Sequence, residues 1–287
     1  MPELPEVETV RIQLLNKIVG KKITGVEVFH SKSVRNDESF EEKLVGKRVA
    51  DIDRVGKLMI FSFAEDSDLF LLAHLKMTGQ FFFVGEGEIS GGGHSATEND
   101  WTDLPNKHTR VAIYLEGNAT LYFNDMRIFG YLHLVNKEEK EKAKGKFGPE
   151  PIADDFNAEW FYKSLKRKKT PIKAALLNQN FIAGLGNIYV DEALYRAGVR
   201  PMRRADKVTK KEAAAIVAAS GAVMTESIAV GGTTFQNFVD VEGKRGNFVQ
   251  FLQVFGKQGQ PCPRCGTEIE KIRCAGRGTH YCPQCQI

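Results

Sequence analysis

The chain has 287 residues, of which 42% are hydrophobic and 26% charged, and its formal net charge is +4. These values are typical of a globular protein with a sizeable core, and at this length two domains are more expected than one. No apolar run reaches the length of a membrane span, and Met1 is followed by prolines and glutamates rather than by a signal region. We therefore expect a soluble, cytoplasmic protein with no membrane partner.

The net charge is unevenly distributed along the chain. Residues 151–287 carry 20 Lys and Arg against 12 Asp and Glu, whereas residues 1–150 carry 20 against 24. Much of the acidity of the first half lies between Gly85 and Asp103, which contains five acidic and no basic residues. A basic second half suggests a polyanionic partner, although charge asymmetry alone is weak support for one.

The first part of the chain predicts a helix followed by a β domain. Residues 5–19 place apolar side chains at helical spacing, and residues 22–135 contain many short β-prone runs separated by turn residues. Strands at this spacing without intervening helices imply a β-sandwich or barrel. Residues 86–106 are rich in Gly, Ser, Thr and acids, so we interpret them as a surface loop. Residues 136–150 are charged and end near a Gly-Pro pair, which predicts a linker.

The second part of the chain is predicted to be mainly helical. Helices are predicted at residues 157–167, 171–178, 187–197 and 209–229. Asn187 is expected at the N-cap of the third helix, after Gly184 and Gly186. Glycines before a helix N-terminus can admit a phosphate, but more often they only form a tight turn.

All five cysteines follow residue 261, and four of them form two CxxC pairs 16 residues apart, at Cys262, Cys265, Cys282 and Cys285. This spacing favours one tetrahedral zinc ion. Two disulfides or a redox CxxC are the alternatives, which the absence of a secretory signal disfavours. Arg277 lies between two glycines in the segment joining the pairs, where it could contact a nucleic-acid backbone, or the ribbon could be purely structural.

Six stretches, in this order, together resemble the formamidopyrimidine-DNA glycosylase family along the whole chain: PELPEVET, HLKMTG, NDMRIFG, LLNQNFIAGLGNIYVDEALYRAGV, GGTTFQNFVDVEGKRGNF and CPRC…GRGTHYCPQC. The resemblance implies a multidomain α+β protein with an N-terminal helix and β-sandwich, a helix–two-turn–helix domain and a C-terminal zinc ribbon with one structural zinc. The expected boundaries are 1–135 for the catalytic β-sandwich domain, 136–150 for the linker, 151–235 for the helical DNA-binding domain and 236–287 for the zinc-ribbon domain with its preceding lesion-capping loop.

The resemblance also implies a reaction: excision of oxidised purines from double-stranded DNA through a Schiff base on the N-terminal proline, followed by β,δ-elimination at the abasic site. The implied catalytic residues are Pro2, Glu3, Glu6 and Lys57. The implied DNA-binding residues are His74, Met77, Arg127, Phe129, Lys173, Asn187 and Arg277. Among these, Lys57, His74, Asn187 and Arg277 would contact phosphates next to the lesion. Met77, Arg127 and Phe129 would fill the gap left by the everted nucleotide.

Two departures and two alternatives accompany the resemblance. The acidic segment at residues 86–106 is longer than is usual for the family, and Ile128 stands where relatives often have a basic residue. A glycosylase for oxidised pyrimidines is the first alternative, and a non-catalytic lesion-binding protein is the second. The protein is expected to act as a monomer, and Pro2 can react only after Met1 is removed.

Overall fold

The computed structural model describes residues 1–35, 39–85, 88–94, 103–233, 238–239 and 248–287, of which 88–94 and 238–239 are described at the level of the backbone. The chain forms two compact units. The first comprises Met1–Gly145 with Val230–Asn247, and the second comprises Lys146–Ala229 with Phe248–Ile287.

Within the part of it that the structure describes, the first unit begins with a long helix, continues with nine strands, and includes a tenth short strand from later in the chain. Its elements are α1 (Leu4–Ile18), β1 (Ile23–Val28), α2 (Phe40–Leu44), β2 (Val49–Val55), β3 (Leu58–Phe63), β4 (Asp66–His74), β5 (Gly79–Gly85), β6 (Glu88–His94), β7 (Thr109–Leu115), β8 (Ala119–Asp125), β9 (Tyr131–Val135), α3 (Lys137–Lys144) and β10 (Phe238–Val239). The strands form a six-stranded sheet in the order β1-β7-β8-β5-β6-β10 and a four-stranded sheet in the order β2-β3-β4-β9. All the strand pairs in both sheets are antiparallel.

The two sheets pack face to face, and their inner faces form one apolar core with α1 and α2. Phe61 of β3 lies 6.0 Å from Phe81 of β5 between ring centroids, and Phe81 lies 5.3 Å from Phe123 of β8. Burial of one such side chain contributes about 1.5–3 kcal/mol, and ring contacts add about 0.5–1.5 kcal/mol per pair. The predicted N-terminal helix and β-sandwich are therefore confirmed.

One local prediction in this unit was wrong. The segment interpreted as a surface loop at 86–106 contains β6, whose backbone pairs with β5 from Gln80–Gly93 to Gly85–Glu88. The remainder of that segment is described only from residue 103 onward. The predicted linker at 136–150 includes the boundary between the two units after Gly145, and it contains α3, whose start is fixed by a reciprocal capping box between Asn136 and Glu139.

The second unit contains four helices followed by a two-stranded ribbon. Its elements are α4 (Ala158–Leu165), α5 (Ile172–Leu177), α6 (Asn187–Ala197), α7 (Lys210–Ala229), β11 (Glu270–Cys274) and β12 (Arg277–Tyr281). Contrary to the expectation that no segment reaches the length of a membrane span, α7 is, among the described residues, one helix that is long and apolar enough to do so by length and composition. It buries Ile216, Val223 and Met224 within its unit, and a core helix passes the same test of length and composition.

Candidate active site and nucleic-acid interface

The N-terminal leader is held rigidly by a capping box. Pro2 is buried, Glu3 is the N-cap of α1, and the Glu3 side chain accepts the backbone N–H of Glu6. In return, Glu3 N donates to Glu6 Oε2 at 2.8 Å. Glu3 and Glu6 are 3% and 2% exposed. Because the box satisfies backbone donors in both directions, the first residues of the chain are fixed rather than frayed.

Glu6 also connects the leader to a distant part of the sequence. Its Oε1 accepts hydrogen bonds from Thr233 N at 2.8 Å and from Thr233 Oγ1 at 2.9 Å. Gly232 precedes Thr233 with φ of +83°, and a Cβ on it would lie 2.9 Å from Glu6 Oε1. Glycine is required there by both its backbone conformation and this close approach. The predicted lesion-capping loop continues from this point, and its residues 234–237 and 240–247 lie outside the described residues.

An ion-pair cluster joins α1 to the turn that carries Lys57. Glu8 Oε1 accepts from Arg11 Nη2 at 2.6 Å, and Glu8 Oε2 accepts from Arg54 Nε at 2.7 Å. Arg54 Nη1 donates to the Gly56 carbonyl at 2.8 Å, directly before Lys57, which is 4% exposed. Burial tends to raise the pKa of Glu8, but the hydrogen bonds from the two arginines outweigh it and lower that pKa below 4.5. Glu8, which the sequence predicts to be helix surface, is instead 13% exposed and fixes the Lys57 turn against the helix.

His74 is held as a neutral hydrogen-bond donor. Burial, followed by the charges of Lys76, Lys57 and Arg35, lowers its pKa from 6.5 to about 3. The backbone N–H of Lys76 donates to His74 Nδ1 at 3.0 Å. Since Nδ1 accepts, the neutral ring carries its proton on Nε2. An uncharged N–H among three cations is well suited to a phosphate oxygen.

The three predicted gap-filling residues lie together in the first unit. Arg127 Nη1 is 3.4 Å from Met77 Sδ, and Arg127 Cζ lies 4.7 Å from the ring centroid of Phe129. Phe129 is 50% exposed, which leaves an apolar ring presented to solvent. Exposed apolar side chains beside an arginine form a surface that can enter a base stack.

Asp125 organises this surface, and sequence reasoning missed it. It is fully buried at the end of β8. Its carboxylate accepts from Thr78 Oγ1, from Arg127 N at 3.0 Å, from Phe129 N at 2.8 Å and from Gly130 N at 2.6 Å. An Asp before a short segment between strands is the signal that could have revealed it, because Asp side chains commonly accept backbone N–H groups of the turn that follows.

The same turn holds Ile128 at φ of +57°. A β-branched residue in the left-handed region is strained, at a cost of about 1–3 kcal/mol, and such strain persists only where surrounding bonds impose it. The hydrogen bonds of Asp125 to the flanking Arg127 and Phe129 supply that constraint.

In the second unit, three polar residues hold the tip of the ribbon. Lys173 Nζ contacts Asp191 Oδ1 at 2.6 Å and the Gly278 carbonyl at 3.2 Å. Asn187 Nδ2 donates to the same carbonyl at 3.0 Å, and His280 N donates to Asp191 Oδ2 at 2.8 Å. The helices α5 and α6 thereby fix the strand that begins at Arg277.

This arrangement corrects the prediction that Lys173 contacts a phosphate. Its side chain is 0% exposed and its ammonium is paired with Asp191. The ammonium is therefore inaccessible to a phosphate. Arg277, by contrast, is exposed beside the two-residue turn Ala275–Gly276, and Asn187 is half-buried. Asn187 is the first residue of α6 rather than its N-cap, which is Gly186.

The four predicted cysteine ligands converge at the base of the ribbon. Their sulfurs all lie within 4.8 Å of one another, with 3.9 Å between Cys262 and Cys285 and 3.5 Å between Cys265 and Cys282. Zn–S bonds of about 2.3 Å in a tetrahedron give S···S distances of about 3.8 Å, so the cluster fits this ion. The disulfide alternative is excluded for all five cysteines, which are free, including the buried Cys274.

Comparisons with known proteins agree with this geometry. Residues 1–132 match the family model of the formamidopyrimidine-DNA glycosylase N-terminal domain, residues 147–239 match its H2TH domain, and residues 259–287 match the zinc finger found in FPG and IleRS. The formamidopyrimidine-DNA glycosylase of Pelotomaculum thermopropionicum is 41% identical, with 100% of this chain and 99% of the relative covered. The chain belongs to the formamidopyrimidine-DNA glycosylase family.

Other members of the family give the same result. The formamidopyrimidine-DNA glycosylase of Streptococcus pneumoniae is 39% identical, again over 100% of this chain and 99% of the relative. A solved structure of the Lactococcus lactis Fpg with DNA that contains an abasic site has a TM-score of 0.87 and 34% identity, with 99% of each chain covered. The family model of the zinc finger, together with the sulfur cluster, identifies the ribbon as the site of one structural zinc.

The predicted site residues of this family member fall into four groups. Pro2, Glu3 and Glu6 lie together in the leader, and Met77, Arg127 and Phe129 lie together at the Asp125 turn. Lys57 and His74 are close enough for the lysine charge to depress the pKa of the histidine. Asn187 and Arg277 belong to the second unit, where Asn187 contacts Gly278, the residue after Arg277.

Proposed function

We propose that this chain is a base-excision repair DNA glycosylase with abasic-site lyase activity, whose substrates are oxidised purines such as 8-oxoguanine and formamidopyrimidines. It acts on double-stranded DNA and binds one structural zinc. The protein acts as a monomer in the cytoplasm, where it associates with the DNA it repairs.

The N-terminal leader is the observation that carries this proposal. Pro2 is buried and is followed directly by the Glu3–Glu6 capping box, in a chain that matches the family over its whole length. Once Met1 is removed, the nitrogen of Pro2 is a secondary amine with a typical pKa near ~8, so a useful fraction is neutral at physiological pH. Met1 is 49% exposed, which is compatible with its removal.

The reaction begins when the Pro2 nitrogen attacks C1′ of the damaged nucleotide. The new N–C bond forms as the glycosidic bond breaks, and its electron pair leaves with the base. The amine loses its proton, and the C1′–O4′ bond then opens to give an iminium ion. Glu3 lies next to Pro2 and supplies the proton that O4′ needs. Glu6 supports Glu3 through the hydrogen bond to its backbone nitrogen.

Strand cleavage follows from the iminium ion. Its positive charge acidifies a hydrogen on C2′, whose removal expels the 3′ phosphate in β-elimination. A second elimination expels the 5′ phosphate, so the DNA is cut on both sides of the sugar. Lys57 is the catalytic lysine of this stage, and it is held in its turn by Arg54 and Glu8.

DNA positioning is assigned to donors in both units. Lys57 and His74 of the first unit, and Asn187 and Arg277 of the second, contact phosphates next to the lesion. Phosphate contacts fix the register of a duplex without reading its sequence. Met77 and Phe129 replace the lost base stacking, and Arg127 pairs with the base left without a partner. Cys262, Cys265, Cys282 and Cys285 hold the zinc, which stabilises the ribbon that presents Arg277.

The experiment that tests the function is borohydride trapping on a panel of duplexes. With 8-oxoguanine opposite cytosine, the processed protein should form a covalent complex with DNA, and Pro2→Gly should lose the complex while retaining affinity for an abasic analogue. An N-terminal glycine still offers a primary amine, so the assigned nucleophile would be refuted by a trap in Pro2→Gly whose sugar remnant maps to a side chain such as that of Lys57. Binding without any trap or cleavage by the processed protein would instead identify a non-catalytic lesion-binding protein.

A second substrate class has support from one structural neighbour. The Lactococcus lactis FPG has been crystallised with DNA that contains an oxidised pyrimidine. Parallel single-turnover excision of 8-oxoguanine and thymine glycol separates the two candidates. Faster excision of 8-oxoguanine is the expected result, and a preference for thymine glycol would move the assignment to oxidised pyrimidines.

A further inference from the structure

Tyr195 lies in the last turn of α6 and contacts the zinc site from outside its four cysteines. Its side chain is fully buried, and its hydroxyl oxygen lies 3.3 Å from Cys262 Sγ. The ring packs in an apolar cluster with Val254, Ile269 and the two buried cysteines Cys262 and Cys282. A tyrosine in a core normally satisfies its hydroxyl with an oxygen or nitrogen partner, whereas this one is directed at a sulfur.

Arg264, which lies between the first two cysteines, fixes Tyr195 in this position. Its guanidinium carbon lies 4.3 Å from the centre of the Tyr195 ring. Its Nη1 donates to the Tyr195 carbonyl at 3.0 Å, and its Nη2 donates to the Arg196 carbonyl at 3.3 Å. The first CxxC turn therefore caps the C-terminus of α6, where free carbonyls favour a cation.

The chemistry of the zinc site decides the direction of the Tyr195–Cys262 hydrogen bond. A cysteine that ligates zinc is a thiolate and has no proton to give. The tyrosine hydroxyl is therefore the donor, and the bond is O–H···S⁻. Four thiolates around one divalent ion leave an excess of two negative charges in a partly buried place. A donor aimed at one sulfur disperses part of that charge.

We infer that Tyr195 is a positioning residue for the zinc site: its hydroxyl holds the Cys262 thiolate on the metal and fastens α6 to the ribbon. Outer-shell donors of this kind orient metal ligands, and their loss typically costs 10–100-fold in metal affinity. The inference rests on the structural zinc and not on the chemistry at Pro2, so its failure would leave the proposed glycosylase unaffected.

The inference also gives α6 a defined mechanical role. Asn187 at its first turn contacts the Gly278 carbonyl of β12, and Tyr195 at its last turn contacts Cys262. The helix is thus bound to the ribbon at both ends. Since Asn187 and Arg277 are the proposed phosphate donors of this unit, a loosened zinc site should disturb the position of both.

Zinc transfer from the full-length, zinc-loaded protein to a chromogenic chelator tests the inference. Tyr195→Phe removes the hydroxyl and should release zinc about 10–100-fold faster than the wild type. Tyr189→Phe is the matched control, because Tyr189 is also fully buried in α6 and its hydroxyl lies 2.6 Å from Ser227 Oγ, within the helical part of the unit. It should release zinc within about twofold of the wild type.

Two results would overturn the inference. One is a wild-type rate of zinc release in Tyr195→Phe, and the other is equally fast release in Tyr189→Phe, which would indicate a general loosening of α6.

The absorption spectrum of the cobalt-substituted protein provides a second test, because a change in stability alone does not shift the charge-transfer band. Loss of a hydrogen bond raises the energy of the sulfur lone pair, so the sulfur-to-cobalt charge-transfer band of Tyr195→Phe should shift to longer wavelength. An unchanged band would contradict the inference. Should this variant fail to fold, the unmutated chain can be labelled with fluorotyrosine, whose more acidic hydroxyl should shift the band to shorter wavelength. No shift would again count against the proposed hydrogen bond.

Discussion

Asp125→Asn is expected to damage the gap-filling turn while leaving the rest of the first unit intact. The wild-type side chain accepts four hydrogen bonds among the described residues, two on each oxygen. Asparagine keeps one acceptor oxygen and presents an NH₂ group where the other oxygen stood. Two backbone or hydroxyl donors then face a donor instead of an acceptor.

The expected loss of stability follows from the hydrogen bonds that the substitution removes. A hydrogen bond to a charged acceptor contributes about 1.5–3 kcal/mol, so the loss of two costs about 3–6 kcal/mol. Relaxation of Ile128 from its left-handed conformation returns about 1–3 kcal/mol. The net destabilisation should be about 2.5 kcal/mol, the difference between the two midpoints, which lowers the melting temperature by roughly 5–10 °C.

Two assays measure the consequence for function. Single-turnover excision of 8-oxoguanine should fall about 100-fold, since a displacement of about 1 Å in a positioning group can cost that much. Cleavage of a preformed abasic site needs no base to be expelled and should fall less. Asp53→Asn is the control, because Asp53 is a 60% exposed carboxylate whose loss should change stability by about 0.5 kcal/mol or less. An Asp125→Asn protein with wild-type stability and excision would refute the organising role of Asp125.

Three further perturbations test separate parts of the site. Glu8→Gln should slow strand scission about tenfold, whereas Glu116→Gln, which breaks a pair with Arg48, should not; slowing by both would point to general destabilisation. Because the pKa of Glu8 lies below 4.5 in the folded protein, its stabilising effect should be present above about pH 4.5 and lost as the pH falls through the folded-state pKa. His74→Ala should weaken binding by the same factor at pH 6 and pH 8, since a pKa of about 3 keeps the ring neutral at both, and a larger loss at pH 6 would contradict this. Arg277→Ala should reduce the slope of log affinity against log salt by about 1, and an unchanged slope would exclude its phosphate contact.

Much of the fold follows from local patterns in the sequence. The predicted helix at 5–19 corresponds to α1, because its apolar spacing and the proline near its start are both local signals. The β-sandwich follows from alternating apolar runs, and the zinc ribbon follows from cysteine spacing. The strand β6 could not be predicted in this way, because the Gly-rich segment at Ser90–Gly93 carries few side-chain signals and is extended through backbone pairing with β5 on one side and, at its end, with β10 on the other.

The errors at the site have a different cause, which is pairing between residues distant in sequence. Lys173 has the basic character of a phosphate ligand, but Asp191, 18 residues later, neutralises it in the core. Glu8 has the appearance of helix surface until Arg54 of β2 is brought against it. Asp125 was missed for another reason. Its role depends on three backbone N–H groups of the following turn, and these point at its carboxylate only once the turn is folded.

The position of the covalent adduct tests the central claim most directly. The protein would be reduced with borohydride during reaction with an 8-oxoguanine duplex, then digested, and the peptide that carries the sugar remnant would be sequenced by mass spectrometry. The proposed mechanism predicts the remnant on the nitrogen of Pro2 in a chain that has lost Met1. A remnant on the side chain of Lys57 or another lysine, with Pro2 unmodified, would contradict it.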